Sequence, residues 1–157
     1  MRKIKVLLVD DEEEFVKTMS ERMGLQDLDA DIALNGEQAL QAIEDDTPDV
    51  IVLDLKMPGM DGMEVLRRVK KAYPDVEVIM LTGHGSEKDE EEARRLGAYE
   101  YLQKPSGIDK IVQTIKSALK KFDDAMVAAT FAEADDFNHA KEILEKEDEE
   151  DREDKKD

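Results

Sequence analysis

The chain has 157 residues, 41 acids against 23 bases, and no cysteine. That length holds one domain with a proper core and falls short of two large ones. The formal charge of −18 works against nucleic-acid binding, which rests on phosphate neutralisation, and without cysteine there are no disulfides, zinc–thiolate sites or thiol nucleophiles.

The basic start MRK leads into IKVLLV at 4–9, a β-branched-rich strand run. It is far too short for a signal peptide, and no later stretch reaches membrane-spanning length. The expectation is a soluble, cytoplasmic protein without a membrane segment. The strand then meets five consecutive acids, Asp10 to Glu14. Strands usually end in Gly, Asn or Pro, so a block of carboxylates at that point needs a reason. Glu12 to Glu14 fit the start of a helix, where negative charge favours the N-terminal dipole. Its apolar stripe is Phe15, Met19, Met23 and Leu25.

Residues 29–34 (DADIAL) alternate, as an edge strand does. Asn35-Gly36 precedes a helical stripe of Ala39, Leu40 and Ile43. A second apolar run follows, DVIVLD at 49–54. Asp61 is a natural N-cap for a helix carrying Met63, Leu66, Val69 and Lys70. VEVIML at 76–81 is another strand, and Ser86 caps a heavily charged helix, Glu87 to Leu96, with little to bury. AYEYL at 98–102 is a weaker strand. Ile108, Ile111, Val112, Ile115 and Leu119 form the strongest stripe of all.

Runs without strict alternation suggest strands covered on both faces. Five βα units in series predict a doubly wound α/β domain with a five-stranded parallel sheet. Ligands in such folds sit outside the carboxyl ends of the strands. Those ends carry Asp10 and Asp11, Asp54, Thr82 and Lys104, so all fall at one edge of the sheet.

Three carboxylates held together repel, by roughly 4 kcal/mol for a pair about 4 Å apart at an effective dielectric near 20. A hard divalent cation relieves that conflict, and Mg²⁺ is commonly held by one or two carboxylates with water and a phosphate oxygen. Lys104 adds a positive charge for a phosphoryl oxygen, and Thr82 adds a hydroxyl donor. The set suits a nucleophilic carboxylate that forms an aspartyl phosphate. Each residue has a plainer reading: a helix start for Asp10 and Asp11, a strand-end cap for Asp54, a turn for Thr82, a packed ring for Tyr101 and a solvated lysine for Lys104. Their joint occurrence favours the site.

VLLVDDEEEF, IVLDLKMPGMDG, VIMLTGHGS and GAYEYLQKP, in that order over residues 3–121, resemble the motifs of the receiver (CheY-like) domain of bacterial two-component response regulators. The resemblance implies a flavodoxin-like strand order, 2-1-3-4-5, and phosphorylation of Asp54 by a histidine kinase or phosphotransfer protein. It implies Mg²⁺ held by Asp10, Asp11, Asp54 and the backbone carbonyl of Lys56. Lys104, through a cis bond to Pro105, pairs with the phosphoryl group, and Thr82 and Tyr101 form a switch pair. The output surface is then the face made by helix 4, strand 5 and helix 5. Lys56 and His84, two residues beyond Asp54 and Thr82, are expected to rim the pocket and tune the lifetime of the phosphate.

A composition boundary lies near residues 122 and 123, giving a receiver at 1–122 and an acidic helical extension at 123–157 with a disordered end. The extension has 15 acids against 5 bases, too acidic and too short for a DNA-binding output. Ala128, Phe131, Ala132, Phe137, Ala140, Ile143 and Leu144 suggest a small apolar seam, which must dock on the receiver or on a second copy, as in a homodimer. The expectation is a stand-alone receiver, a phosphorylation-controlled protein-binding switch and not an enzyme beyond its own phosphoryl transfer and dephosphorylation. Two alternatives stay open: a Mg²⁺-dependent phosphatase with an aspartyl nucleophile, disfavoured by Lys56 where a second acid is needed, and a non-switching receiver scaffold.

Overall fold

The computed structural model describes the backbone of residues 2–133 and the side chains of residues 2–120. Strands and helices alternate as β1 (Ile4–Val9), α1 (Glu13–Leu25), β2 (Leu28–Ala33), α2 (Gly36–Asp45), β3 (Val50–Leu53), α3 (Gly62–Ala72), β4 (Glu77–Thr82), α4 (Glu87–Arg95), β5 (Glu100–Gln103) and α5 (Ile108–Glu133). The strands pair in parallel in the order β2-β1-β3-β4-β5. This is the flavodoxin-like order, with the alternating β2 at an edge.

Two cores explain the unbroken apolar runs. Leu7, Val9, Ile51, Leu53, Val78 and Met80 join Ala39, Ile43, Val65, Leu66 and Val69 of α2 and α3 in one. Their immediate neighbours Val6, Leu8, Val50, Val52, Ile79 and Leu81 join Val16, Met19 and Met23 of α1 and Ile111, Val112 and Ile115 of α5 in the other. Successive strand residues point to opposite faces, so a sheet sandwiched between helix layers must be apolar at every position. Each buried aliphatic side chain contributes about 1.5–3 kcal/mol.

The α1 stripe differs from expectation. Leu25 is 88% exposed, whereas Val16 is buried with Met19 and Met23. Steps of four residues drift off the 3.6-residue period, and the stripe beginning at Val16 follows that period more closely.

Caps form where short polar residues precede the helices. The side chains of Asn35 and Asp61 accept from the N–H groups of Gln38 and Glu64. Ser86 and Asp89 complete a capping box on α4, whose only buried residue is Ala93. At the amino end of the sheet, Asp49 works as a clip. Its carboxylate accepts from the Lys5 N–H at 2.9 Å and from Arg2 at 2.8 Å. Its own N–H donates to the Lys5 carbonyl at 2.9 Å, and its carbonyl accepts from Glu77 at 3.2 Å.

The chain divides into compact units at Met1–Leu119 and Lys120–Asp157. The expected boundary at residues 122 and 123 falls within the span of α5. The expected apolar seam from Ala128 to Leu144 lies outside the residues whose side chains are described, and the acidic end lies outside the described residues altogether. No described helix is long and apolar enough to cross a membrane.

Candidate functional site

Strand register sets the site. Val9 and Leu53 are partners across β1 and β3, so the next residues, Asp10 and Asp54, leave neighbouring strands at the same level. Adjacent strands lie about 4.8 Å apart. Asp54 N–H donates to the Val9 carbonyl at 2.8 Å, and Asp10 N–H donates to the Ala33 carbonyl at 3.2 Å. Thr82 ends β4 opposite Gln103 of β5. Lys104 follows, donating its N–H to the Thr82 carbonyl at 2.9 Å, and its bond to Pro105 is cis as expected. The structure thus brings Asp10, Asp11, Asp54, Thr82 and Lys104 to one edge.

Carboxylate oxygens of Asp10, Asp11 and Asp54 lie within 4.8 Å of one another. Asp10 and Asp54 are 3% and 4% exposed, while Asp11 faces solvent. Both oxygens of Asp10 are engaged. Oδ1 accepts from the Glu12 N–H at 2.9 Å, and Oδ2 accepts from the Lys104 ammonium at 2.5 Å. That ammonium also sits 4.3 Å from the centroid of the Phe15 ring, a cation–π contact. Asp54 is different: its Oδ1 is buried with no hydrogen-bond partner. Burial pushes the Asp54 carboxyl above its ordinary range, and the charge of Asp10 pushes it the same way. The Lys104 ammonium, the Thr82 hydroxyl and the Leu55 amide pull it partly back.

A hard cation fits this donor set. The oxygens are close, one of them lacks a partner, and among the described residues the ammonium hydrogen-bonded to them is that of Lys104, on Asp10. Glu12, Glu13 and Glu14 are exposed at the start of α1, so the acidic block does divide after Asp11. Thr82 is fully buried, and its hydroxyl accepts from the His84 N–H at 3.2 Å. The side chains of Lys56 and His84 are exposed. A cavity of about 370 Å³ adjoins the backbone after Asp54, with Leu55, Lys56, Asp61, Met63, Arg67 and Asp89 among its walls. It includes none of the clustered carboxylates.

Two residues escaped sequence reading. A Cβ on Gly62 would collide with the Asp54 carbonyl oxygen and lie 2.8 Å from Leu55 Cα, while the Gly62 N–H donates to the Leu55 carbonyl at 2.7 Å. The start of α3 is therefore pressed onto the backbone that carries Asp54. The signal was present in Asp61-Gly62 but reads equally as an ordinary cap and turn. Phe15, beneath Lys104, had no signal beyond its place in an apolar stripe.

Comparison with known proteins agrees with the geometry. The family model described as response regulator receiver domain matches residues 6–116. The luminescence regulatory protein LuxO of Vibrio campbellii is 40% identical over 94 residues, covering 60% of this chain but only 21% of that longer protein. Sporulation initiation phosphotransferase F of Bacillus subtilis is 36% identical over 115 residues, covering 73% of this chain and 93% of the relative. A crystal structure of a response regulator receiver domain protein from Clostridium thermocellum has a TM-score of 0.73 at 30% identity, over 76% of this chain and 97% of that one. Fold, site register and sequence lead to one family, and the chain belongs to the receiver domains of two-component response regulators.

Proposed function

We propose that Asp54 accepts a phosphoryl group from a histidine kinase or phosphotransfer protein, and that the phosphorylated chain binds a downstream protein. The observation that carries this reading is the buried Asp54 Oδ1 without a partner, beside a lysine, a hydroxyl and two further carboxylates. In the transfer, an Asp54 oxygen attacks the phosphorus of a phosphohistidine. A P–O bond forms as the P–N bond breaks, and the electron pair stays on the imidazole nitrogen. Asp10, Asp11, Asp54 and the Lys56 carbonyl would hold Mg²⁺, which when bound would supply positive charge against the phosphoryl oxygens. Lys104 exchanges its bond to Asp10 for one to a phosphoryl oxygen, and the Thr82 hydroxyl donates to another.

Tyr101 pairs with Thr82 as the switch, and the readout surface is the α4–β5–α5 face. The acids of α4 there favour a partner carrying basic residues. The named activity of the Bacillus relative supports a relay in which the phosphoryl group passes onward. The site of action is the cytoplasm.

Acetyl phosphate with Mg²⁺ should add one phosphoryl group to the chain, read as an intact-mass increase, and none to Asp54→Asn. Failure of the native chain to label removes the proposal. Turnover of a phosphomonoester beyond one equivalent revives the phosphatase reading. Amide spectra unmoved by beryllofluoride and Mg²⁺ leave a scaffold.

A further inference from the structure

Phe15 lies one residue before Val16, where the buried face of α1 begins. Its ring is half-buried and packs on the core that α1 shares with α5. A lysine beside such a ring commonly lays its methylene stem on the apolar surface and sends its charge to water. Here the charged head itself meets the ring, with the Lys104 ammonium 4.3 Å from the centroid. The lysine side chain is only 17% exposed, and cation–π attraction is strongest where the cation is desolvated.

The ring has little freedom to leave. On its inner side is a gap of about 10 Å³, with Asp10, Phe15, Val16, Met19, Asp54 and Leu81 among its walls. That is the lower limit for a single water, and the walls are hydrocarbon apart from the two carboxylates. The lysine stem, by contrast, is long and flexible, so its head stays only where partners hold it. Among the described residues those partners are Asp10 Oδ2 and the Phe15 face. They hold it differently. The bond to Asp10 occupies one of the three N–H donors, whereas the ring attracts the charge and leaves the other donors free.

We infer that Phe15 is a positioning residue, whose ring face keeps the Lys104 ammonium in the site while its bond to Asp10 is exchanged for one to a phosphoryl oxygen. The exchange rests on the reading of Asp54 as phosphoacceptor. Asp10 alone could not serve through that step, because it is the partner being given up. The ring is uncharged, so it neither competes with the phosphoryl oxygens for N–H donors nor adds to the crowded carboxylates.

The test uses the full chain with ¹³C-labelled lysine, the Lys104 Cε signal being assigned by its loss in Lys104→Arg. Lying over a ring face, that methylene should be displaced upfield by the ring current, and Phe15→Leu should abolish the displacement. It should survive Asp10→Ala, where the carboxylate anchor is gone, and it should persist in the native chain with beryllofluoride and Mg²⁺. Loss in Asp10→Ala, or loss with beryllofluoride, overturns the inference. Rates give a second arm. Phe15→Leu should label with acetyl phosphate about 3- to 30-fold more slowly than the native chain. Phenylalanines carrying one, two and three fluorines, placed at position 15 alone, should slow labelling stepwise as the face loses electron density. Ring shape barely changes across that series, so a purely packing role gives no trend, and rates indifferent to fluorine overturn the inference. A native chain that takes no phosphoryl group fails the phosphoacceptor reading alone. The Asp10→Ala shift, read without any transfer, still decides whether the ring holds the ammonium.

Discussion

Asp54 holds its charge at a cost to stability. Burial and the neighbouring Asp10 raise its carboxyl above the ordinary value, so the folded state binds this proton more tightly than the unfolded chain does. Stability from this group is fully present below the unfolded value, about 3.9, and is lost as pH rises through the raised folded value. Asp54→Asn should therefore melt higher than the native protein at pH 8 without Mg²⁺, by about 2–4 °C for each kcal/mol of relieved strain. The gap should close toward pH 4. Melts showing no gap at pH 8 would contradict this account of the site. The same residue shows how far a sequence can be read. Asp10 and Asp11 could be separated from Glu12 to Glu14 because Asp54 and Lys104 stand at matching strand ends, a matter of topology. The packing of the Tyr101 ring could not be read, because it fills space left by Gly85, sixteen residues away in the loop before α4.

At the scale of elements, caps and apolar periods located each helix, and two-sided burial marked each inner strand. What they could not convey is contact between elements. The start of α3 rests on the Asp54 backbone through Gly62, an approach that only the folded chain reveals. Gly62→Ala provides a test in which two effects disagree in sign. Helix propensity favours alanine by about 1 kcal/mol, while intrusion into packed backbone costs about 1–3 kcal/mol. Because the contact is with rigid main chain and not with the end of a side chain, the clash should win. Denaturant titration should show a net loss of stability, and labelling by acetyl phosphate should slow as Asp54 is displaced. A more stable variant with native labelling would mean that α3 shifts freely. The Leu25 error has the same origin: an apolar residue near the end of a stripe looks buried, yet the true buried face is fixed by what lies opposite.

Across the whole molecule, the two ends of the sheet carry opposite burdens. The carboxyl end gathers like charges for chemistry. The amino end ties β1, β3 and β4 together through Asp49, with both backbone groups and the carboxylate engaged. Replacing Asp49 with alanine strands the Lys5 amide and should cost about 1–3 kcal/mol, read by denaturation. The rate of labelling at Asp54 should remain native, and a slowed rate would mean that the two ends are not independent. If they are independent, thermal tolerance and signalling output behave as separate dials set from opposite rims. A lineage or an engineer can then turn one at Asp49 to suit a new temperature and leave the message unchanged.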